Sequence, residues 1–346
     1  MSSNEKPRIS IIIPAHNEES VIGECVRRCL SQKIKPHEII VVNDGSTDRT
    51  REIVEEIAKE HPEVKILNFE RGHSAAFARN RGAEMATGDV LVFIDADIFV
   101  VGEDFLEKVA EAFRDERVAG AVLADAGRHK GTIEKCYLVK AKLTHFHESL
   151  LGVFGHYVPC MRRDIFFELG MFDEKTFYYE DEVFRERMQE YVKRKGMTIV
   201  QVRAAVEHAD PSEIKEVLRQ SAWVGKGLVS GIFLRRNLVK LLCPLNPPYW
   251  FLFAVSVFLY YFFDGIFLYV LFLFIATALF EFIIGWYLTG MLLASFVYVF
   301  IFSPMRSFWI TYYFFTNLAK RITSSFSSSS IKSKYRNVKR GVKRMQ

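Results

Sequence analysis

The sequence predicts an α/β protein, a mostly parallel sheet with crossover helices, followed by interfacial helices and an apolar helical region. Three observations carry this. Short apolar runs alternate with stretches of helical spacing over about residues 8–208, the signature of strands joined by crossover helices. The run Val90–Val101, VLVFIDADIFVV, has the β-branched content of a buried strand and is broken only by Asp95-Ala-Asp97. Most of Pro247–Leu318 is apolar and aromatic, unlike anything before it.

The Asp pair indicates what chemistry to look for. On an extended segment side chains alternate, so residues 95 and 97 point the same way. Carboxylates converging at the carboxyl end of a strand, where open α/β sheets place ligands, repel each other without a cation. Hard divalent ions such as Mg2+ or Mn2+ take carboxylates together with substrate phosphate oxygens. The plainer alternative is an exposed turn carrying two acidic residues.

In chain order, Arg8–Ala15 (RISIIIPA) reads as the first strand, ending at Pro14. Asn17-Glu-Glu-Ser20 holds the residue types that start a helix, and Val21–Leu30 has the spacing to continue it. Glu38–Asn43 (EIIVVN) is a second buried strand. Asp44-Gly-Ser-Thr47 is a turn before a helix at Asp48–His61, which Thr47 could cap. Val64–Phe69 is a third strand and Ser74–Ala86 a helix that leads into the Val90 strand. Glu103–Arg114 is a helix, Val118–Ala124 a strand, and the polar Asp125–Lys135 a loop. Tyr137–Leu151 is helical in pattern and brings His145 and His147 near His156, without regular zinc-ligand spacing. Tyr157–Met161 reads as a strand, Asp164–Leu169 as a helix closed by Gly170, and Phe172-Asp-Glu174 as a turn. Glu180-Asp-Glu182 opens the helix Val183–Lys195, where the dipole favours carboxylates. Thr198–Val202 is the last strand, and Ala204–His208 leads out of the sheet.

The five cysteines (Cys25, Cys29, Cys136, Cys160 and Cys243) are odd in number and lack framework spacing, so reduced thiols are expected. Cys25 and Cys29 lie four apart on a helix and read as small buried residues rather than metal ligands. Glu213–Leu242 mixes apolar residues at helical spacing with Lys215, Lys226, Arg235, Arg236 and Lys240, which suits helices lying on a membrane. A helical span needs about 20 residues. Breaks at Asp264-Gly265, Thr289-Gly290 and Ser303–Arg306 divide the apolar block into four short crossings or two longer ones. Basic residues flank both ends, Arg235, Arg236 and Lys240 before and Lys320 and Arg321 after. Both flanks are therefore expected in the cytoplasm, with an even number of crossings. Glu281, within a span, is expected to face other helices or a wet cavity. Met1–Arg8 lacks signal-peptide features, so the amino-terminal part is expected to be cytoplasmic. Lys332–Arg344 (KSKYRNVKRGVKR) suits an anionic membrane surface better than nucleic acid. The expected organisation is a cytoplasmic catalytic domain at 1–212, interfacial helices at 213–246, membrane helices at 247–319 and a basic disordered tail at 320–346, in a multi-pass protein of the cell membrane.

Several motifs then fall in an order and spacing that resemble the family 2 glycosyltransferases. They are Ile12–Glu18 (IIPAHNE), Val42–Asp48 (VNDGSTD), Ala78–Gly82 (ARNRG) with Ala86–Asp89 (ATGD), and Asp95-Ala-Asp97. Arg162-Arg163, Gly170–Glu174 (GMFDE), Glu180-Asp181 and Val206-Glu-His208 continue the resemblance to about residue 230. It implies a GT-A fold, a Rossmann-like sheet joined to an acceptor-binding half, and inversion at the anomeric carbon. It implies a UDP- or GDP-sugar donor, with Pro14, Ala15, Asn17 and Glu18 lining the nucleotide pocket and Asp44 bonding the base. Arg79 falls near the diphosphate, Asp95 near ribose and metal, Ala96 between them, and Asp97 on the metal, with His208 a further ligand. Mn2+ or Mg2+ is the implied cofactor. Asp181 matches the family's general base, with Glu180 and Trp223 counted among the donor-binding residues. Gln220-Ser-Ala-Trp223 keeps the Gln and Trp of a later family motif, but Ala222 stands where Arg accompanies processive synthesis, so a non-processive enzyme is expected.

The chemistry is consistent with these residues. A leaving diphosphate needs its charge neutralised, and an attacking hydroxyl must lose its proton to a carboxylate within hydrogen-bond reach. The leading expectation is transfer to a hydroxyl of a lipid-linked or membrane-associated acceptor. The alternative is transfer to a polyprenyl or dolichyl phosphate, which needs no strong base. A nucleotide-sugar-binding membrane scaffold is the non-enzymatic alternative, and it is disfavoured because Asp97 and Asp181 are both present.

Overall fold

The computed structural model describes residues 6–125, 159–175, 180–209 and 213–222, with shorter pieces between 132 and 139 and between 275 and 317. The chain divides into two units, Met1–Ser212 and Glu213–Gln346.

In the first unit the described strands are β1 (Ile9–Ala15), β2 (Glu38–Asp44), β3 (Val64–Phe69), β4 (Val90–Phe93), β5 (Ile98–Val101), β6 (Val118–Asp125), β7 (Cys160–Arg162) and β8 (Thr198–His208). They form one sheet in the order β3-β2-β1-β4-β7-β6-β8-β5. The first half is parallel, with β1 pairing both β2 and β4. The second half is mixed, because β7 runs antiparallel to β4 and β6, and β5 antiparallel to β8. The sheet is thus less parallel than the sequence predicts.

Helices cover both faces, which is why the central strands read as continuous apolar runs. Side-chain alternation sends Ile9, Ile11 and Ile13 of β1 to one face. There they meet helices α1 (Ile22–Leu30), α2 (Thr50–Glu60) and α4 (Phe105–Ala112). Ile12 goes to the other face with Ile40, Val42, Leu91 and Phe93, against α3 (Ala75–Met85), α5 (Arg163–Glu168) and α6 (Glu180–Lys195). Cys25 and Cys29 are buried in the first core with free thiols, as small core residues would be. α3 sits close to the sheet because Gly82 faces β1: a Cβ there would lie 2.5 Å from Ile12 Cγ2.

Four local expectations are corrected. Helix α1 keeps its expected span to within a residue, Ile22–Leu30, but Asn17 does not start it, because Asn17 takes a left-handed φ of 59° and its side chain bonds elsewhere. Thr47 does not cap α2; Asp48 Oδ1 instead accepts from the Thr50 N–H at 3.0 Å. Asp95 and Asp97 do not lie on an extended segment. The Ile98 N–H donates to Asp95 O at 2.9 Å, closing a turn, after which β5 leaves for the far edge of the sheet. Finally, Ala204–His208 stays in the sheet, as β8 runs to His208 and pairs with β5.

At the end of the sheet away from the candidate site, Glu38 is almost fully buried. It accepts from Ser10 Oγ at 2.7 Å, Thr87 N at 2.7 Å, Thr87 Oγ1 at 3.0 Å and Lys65 Nζ at 2.6 Å. Burial pushes its carboxyl up, but the Lys65 ammonium and the Thr87 and Ser10 donors outweigh this and hold it at about 2, against an ordinary 4.5. A depressed carboxyl contributes stability above its unfolded pKa and loses it as pH falls. The full shift corresponds to up to about 3 kcal/mol. Acid titration of unfolding is expected to show this loss between about pH 4.5 and 2. Glu38→Gln should be less stable at neutral pH, and its stability should no longer fall through that window on this account.

In the second unit, residues 214–222 are helical, with Val217 and Ser221 buried. Further on, α7 (Leu292–Val297) continues into a π-helical turn, Tyr298–Phe302. Among the described residues no helix is long and apolar enough to cross a membrane. Large apolar side chains of this region are exposed, among them Ile283, Trp286, Tyr287, Leu293 and Ile301. His145, His147, His156, Trp223, Glu281, Cys243 and the segment Lys332–Arg344 lie outside the described residues.

Candidate active site

The candidate site lies at the carboxyl ends of β1, β2 and β4. Parallel register places Ala15 beside Asn43 and Ile12 beside Phe93, so Ala15, Asp44 and Asp95 follow adjacent strand ends. Helices α1 and α3 lie on opposite faces, so the chain changes winding direction between β1 and β4. Such a switch point opens a crevice, where α/β sheets bind ligands.

The β1 and β2 loops are bonded into one rim. Pro14 is half-buried and Ala15 buried at the end of β1. The Asn17 carboxamide oxygen accepts from Thr47 N at 2.7 Å, and Asn17 N donates to Ser46 Oγ at 3.0 Å. Glu18 N donates to Thr50 Oγ1 at 2.8 Å, while the Glu18 carbonyl starts α1 by accepting from Val21 and Ile22. His16 Nδ1 bonds Asp44 O at 2.7 Å. Asp44 is buried, and His73 holds both of its carboxylate oxygens at 2.8 Å.

Arg79 joins the two halves of the site. It projects from α3 and is itself buried. One guanidinium nitrogen, Nη2, donates to Asp95 Oδ1 at 2.7 Å, and Nη1 donates to Glu180 Oε1 at 2.6 Å. The residues it bridges are far apart in sequence, one at the end of β4 and the other opening α6. Burial pushes the Glu180 carboxyl above the usual carboxylate range; Arg79 works against this, and the adjoining Asp181 carboxylate adds to it. Asp181 follows in the first turn of the sixteen-residue α6 and is half-buried. The aromatic stretch before it, residues 176–179, lies outside the described residues.

Helix α3, which carries Arg79, also clasps the turn at 170–175. Asn80 Nδ2 donates to Phe172 O at 2.9 Å and Glu174 Oε1 at 3.0 Å, and its carboxamide oxygen accepts from Phe172 N at 3.0 Å. Arg81 Nη2 donates to Glu174 at 2.6 Å. Below this turn Phe93, Phe166, Phe172 and Phe184 pack as one aromatic cluster with ring centroids 5.0–5.3 Å apart.

Among the described residues no three His, Cys, Asp or Glu side chains are grouped to hold a metal ion. Two oxygen donors of the expected set nevertheless share the turn after β4. Asp95 Oδ1 is taken by Arg79, and 36% of the Asp95 side chain remains exposed. Asp97 is tied to the end of β8, because Ala209 N donates to Asp97 O at 2.8 Å and Ile98 pairs with His208. His208 is exposed there, and Ala96 is buried between the two carboxylates. Asp95 and Asp97 are hard oxygen donors of the kind that a divalent cation such as Mn2+ or Mg2+ takes.

Sequence reading missed His73 and the direct Arg79–Glu180 pair. No local pattern marks either, since the partners are 29 and 101 residues apart.

Comparison with known proteins agrees with this architecture. Residues 10–160 match the model of Glycosyl transferase family 2. An uncharacterized glycosyltransferase of Bacillus subtilis, YkcC, is 30% identical over 198 residues, covering 53% of this chain and 59% of YkcC. An undecaprenyl-phosphate 4-deoxy-4-formamido-L-arabinose transferase of Pectobacterium carotovorum is 37% identical over 124 residues, 34% of this chain and 37% of that protein. The chain thus spans less than two thirds of the curated relatives it matches. Among solved structures, the mannosyltransferase PcManGT of Pyrobaculum calidifontis, in complex with GDP-Man and Mn2+, superposes with a TM-score of 0.54 at 16% identity, over 91% of this chain and 88% of that one. At that identity the likeness speaks for the fold, a GT-A-like α/β sheet. With its motifs on adjacent strand ends of such a sheet, residues 10–160 form a family 2 glycosyltransferase domain.

Proposed function

We propose that this chain is a membrane-bound, inverting glycosyltransferase that moves a sugar from a nucleoside-diphosphate donor to a hydroxyl of a lipid-linked acceptor. The observation that carries the reading is the double ion pair of Arg79, which joins the Asp95 turn to the Glu180-Asp181 helix start. In this reading the donor groups and a carboxylate base share one crevice.

In this reading the nucleotide lies over the ends of β1 and β2, with Asp44 accepting from the base and the Pro14–Glu18 rim along the ribose. Arg79 sits where the diphosphate comes to rest. Asp95, Asp97 and His208 would hold a divalent cation, which when bound supplies positive charge to the leaving diphosphate. The acceptor oxygen attacks the anomeric carbon from the face opposite the diphosphate. The new C–O bond forms as the bond to the diphosphate oxygen breaks, and the hydroxyl proton passes to Asp181. One base is sufficient for a single inverting displacement. Ala222 in place of the Arg of processive relatives supports one transfer per acceptor.

The exposed apolar side chains at residues 283–301 support a lipid-facing second unit. With the catalytic unit on the cytoplasmic side, the crevice would face acceptors presented at the inner leaflet. A second reading, transfer to a polyprenyl phosphate, is favoured by the undecaprenyl-phosphate transferase among the relatives. An acceptor phosphate is already ionised, so in that case Asp181 has no proton to remove.

Asp97→Asn tests the donor site. The variant is expected to stay folded and to lose Mn2+-dependent binding of the nucleotide sugar by at least about tenfold, the order that one ligand to a metal or its support contributes. Titration calorimetry with UDP- and GDP-sugars, with and without Mn2+, checks this. Unchanged affinity in the presence of Mn2+ would contradict it.

A further inference from the structure

We propose that His73 is a positioning residue for the donor's nucleobase, acting through Asp44; this rests on the reading of Asp44 as the base acceptor. Asp44 is 6% exposed, yet among the described residues its carboxylate pairs with no lysine or arginine. A single residue holds it instead. The His73 backbone N–H donates to Oδ2 and the ring Nδ1 bonds Oδ1, both at 2.8 Å. An ionised carboxylate only accepts, so Nδ1 carries the hydrogen. This two-point grip fixes the plane of the carboxylate. Each oxygen keeps a further lone pair to accept an N–H from a base edge.

The ring is itself held. It stacks on Phe77 at 4.1 Å and 18°, and meets Phe69 edge-on at 5.7 Å. Phe77 in turn lies in the first turn of α3, where its N–H is capped by Ser74 Oγ at 3.1 Å. Two glycines let the loops approach closely enough for the grip. Gly45 has φ +72° and a Cβ on it would lie 2.4 Å from Gly72 N; a Cβ on Gly72 would lie 3.2 Å from Asp44 O. Helix α3 thus begins two residues after the His73 that sets Asp44 and carries, on its second turn, the Arg79 that sets Asp95 and Glu180. The base end and the diphosphate end of the site are held at a fixed separation by α3.

The geometry can be separated from mere bulk. Asn carries an N–H close to the place of the imidazole Nδ1, whereas Gln carries it near Nε2. The full-length protein in detergent is titrated calorimetrically with UDP and with GDP in the presence of Mn2+, as wild type and as His73→Ala, His73→Asn and His73→Gln. His73→Ala and His73→Gln are expected to weaken binding of whichever nucleotide binds wild type by at least about tenfold, an order typical for losing a supporting partner of a binding group. His73→Asn is expected to restore it to within about threefold. Equal affinity of the Gln and Asn variants would overturn the proposal even if His73→Ala does not fold. Asp44→Asn serves as the control on the underlying reading. If it binds nucleotide like wild type, Asp44 is not the base acceptor; if it loses binding while His73→Ala keeps it, only the role of His73 is wrong.

Discussion

Asp181→Asn is expected to remain folded, bind donor with Mn2+ as wild type does, and transfer sugar at least about a hundred times more slowly, since a positioned base contributes about 10² to 10⁴ in rate. The expectation rests on placement. Asp181 lies in the first turn of α6, directly after the Glu180 that Arg79 ties to Asp95. A carboxylate there could instead serve only to stabilise the helix start. That role is worth about 1 kcal/mol of stability and would leave turnover nearly intact. Single-turnover transfer and donor titration on the same preparation separate these cases. Loss of rate with donor affinity intact identifies a base. Near-normal turnover would shift the acceptor from a hydroxyl to a lipid phosphate and favour the second reading.

Replacing Arg79 is expected to have the largest effect on both stability and activity. Arg79→Met leaves Glu180, a carboxylate only 11% exposed at its side chain, without the guanidinium that offsets its burial. Breaking a buried pair from one side costs roughly 3–5 kcal/mol, because the remaining charge is uncompensated. The carboxyl, already raised by desolvation, would be pushed higher still and take up a proton more readily. Chemical denaturation of the full chain should show this loss. The double variant Arg79→Met, Glu180→Gln removes the orphaned charge and is expected to recover much of the stability. It should not recover transfer, because Asp95 and the diphosphate still lack the guanidinium. If the double variant transfers sugar like wild type, Arg79 is a structural strut and nothing more.

The parallel half of the fold was legible because its signals are local. Ile9–Ile13 and Glu38–Val42 are apolar on both faces, and the helices between them repeat at helical spacing. The other half depends on contacts that no local pattern encodes. Residues 90–101 read as one interrupted strand, but the Ile98–Asp95 turn bond splits them into strands at different places in the sheet. β8 extends to His208 because β5 offers it an antiparallel partner from the edge. Asn17 looked like part of a helix start, yet its side chain is used across the rim on Thr47. The site shows the same division. Asp44, Arg79, Asp95, Asp97, Glu180 and Asp181 stand out as motifs, but which of them touch is fixed by α3 crossing between strand ends. Hence the Arg79–Glu180 pair and the His73 grip on Asp44 appear only in three dimensions.

The most direct test of the account is release of nucleoside diphosphate from UDP- and GDP-sugars by the full-length protein in lipid vesicles, with Mn2+ and then with the metal removed by a chelator. The account predicts release from at least one donor with Mn2+, its loss on chelation and recovery on readdition, and no release by the Asp97→Asn protein. Release that is equally fast in chelator, or equally fast with Asp97→Asn, would contradict it.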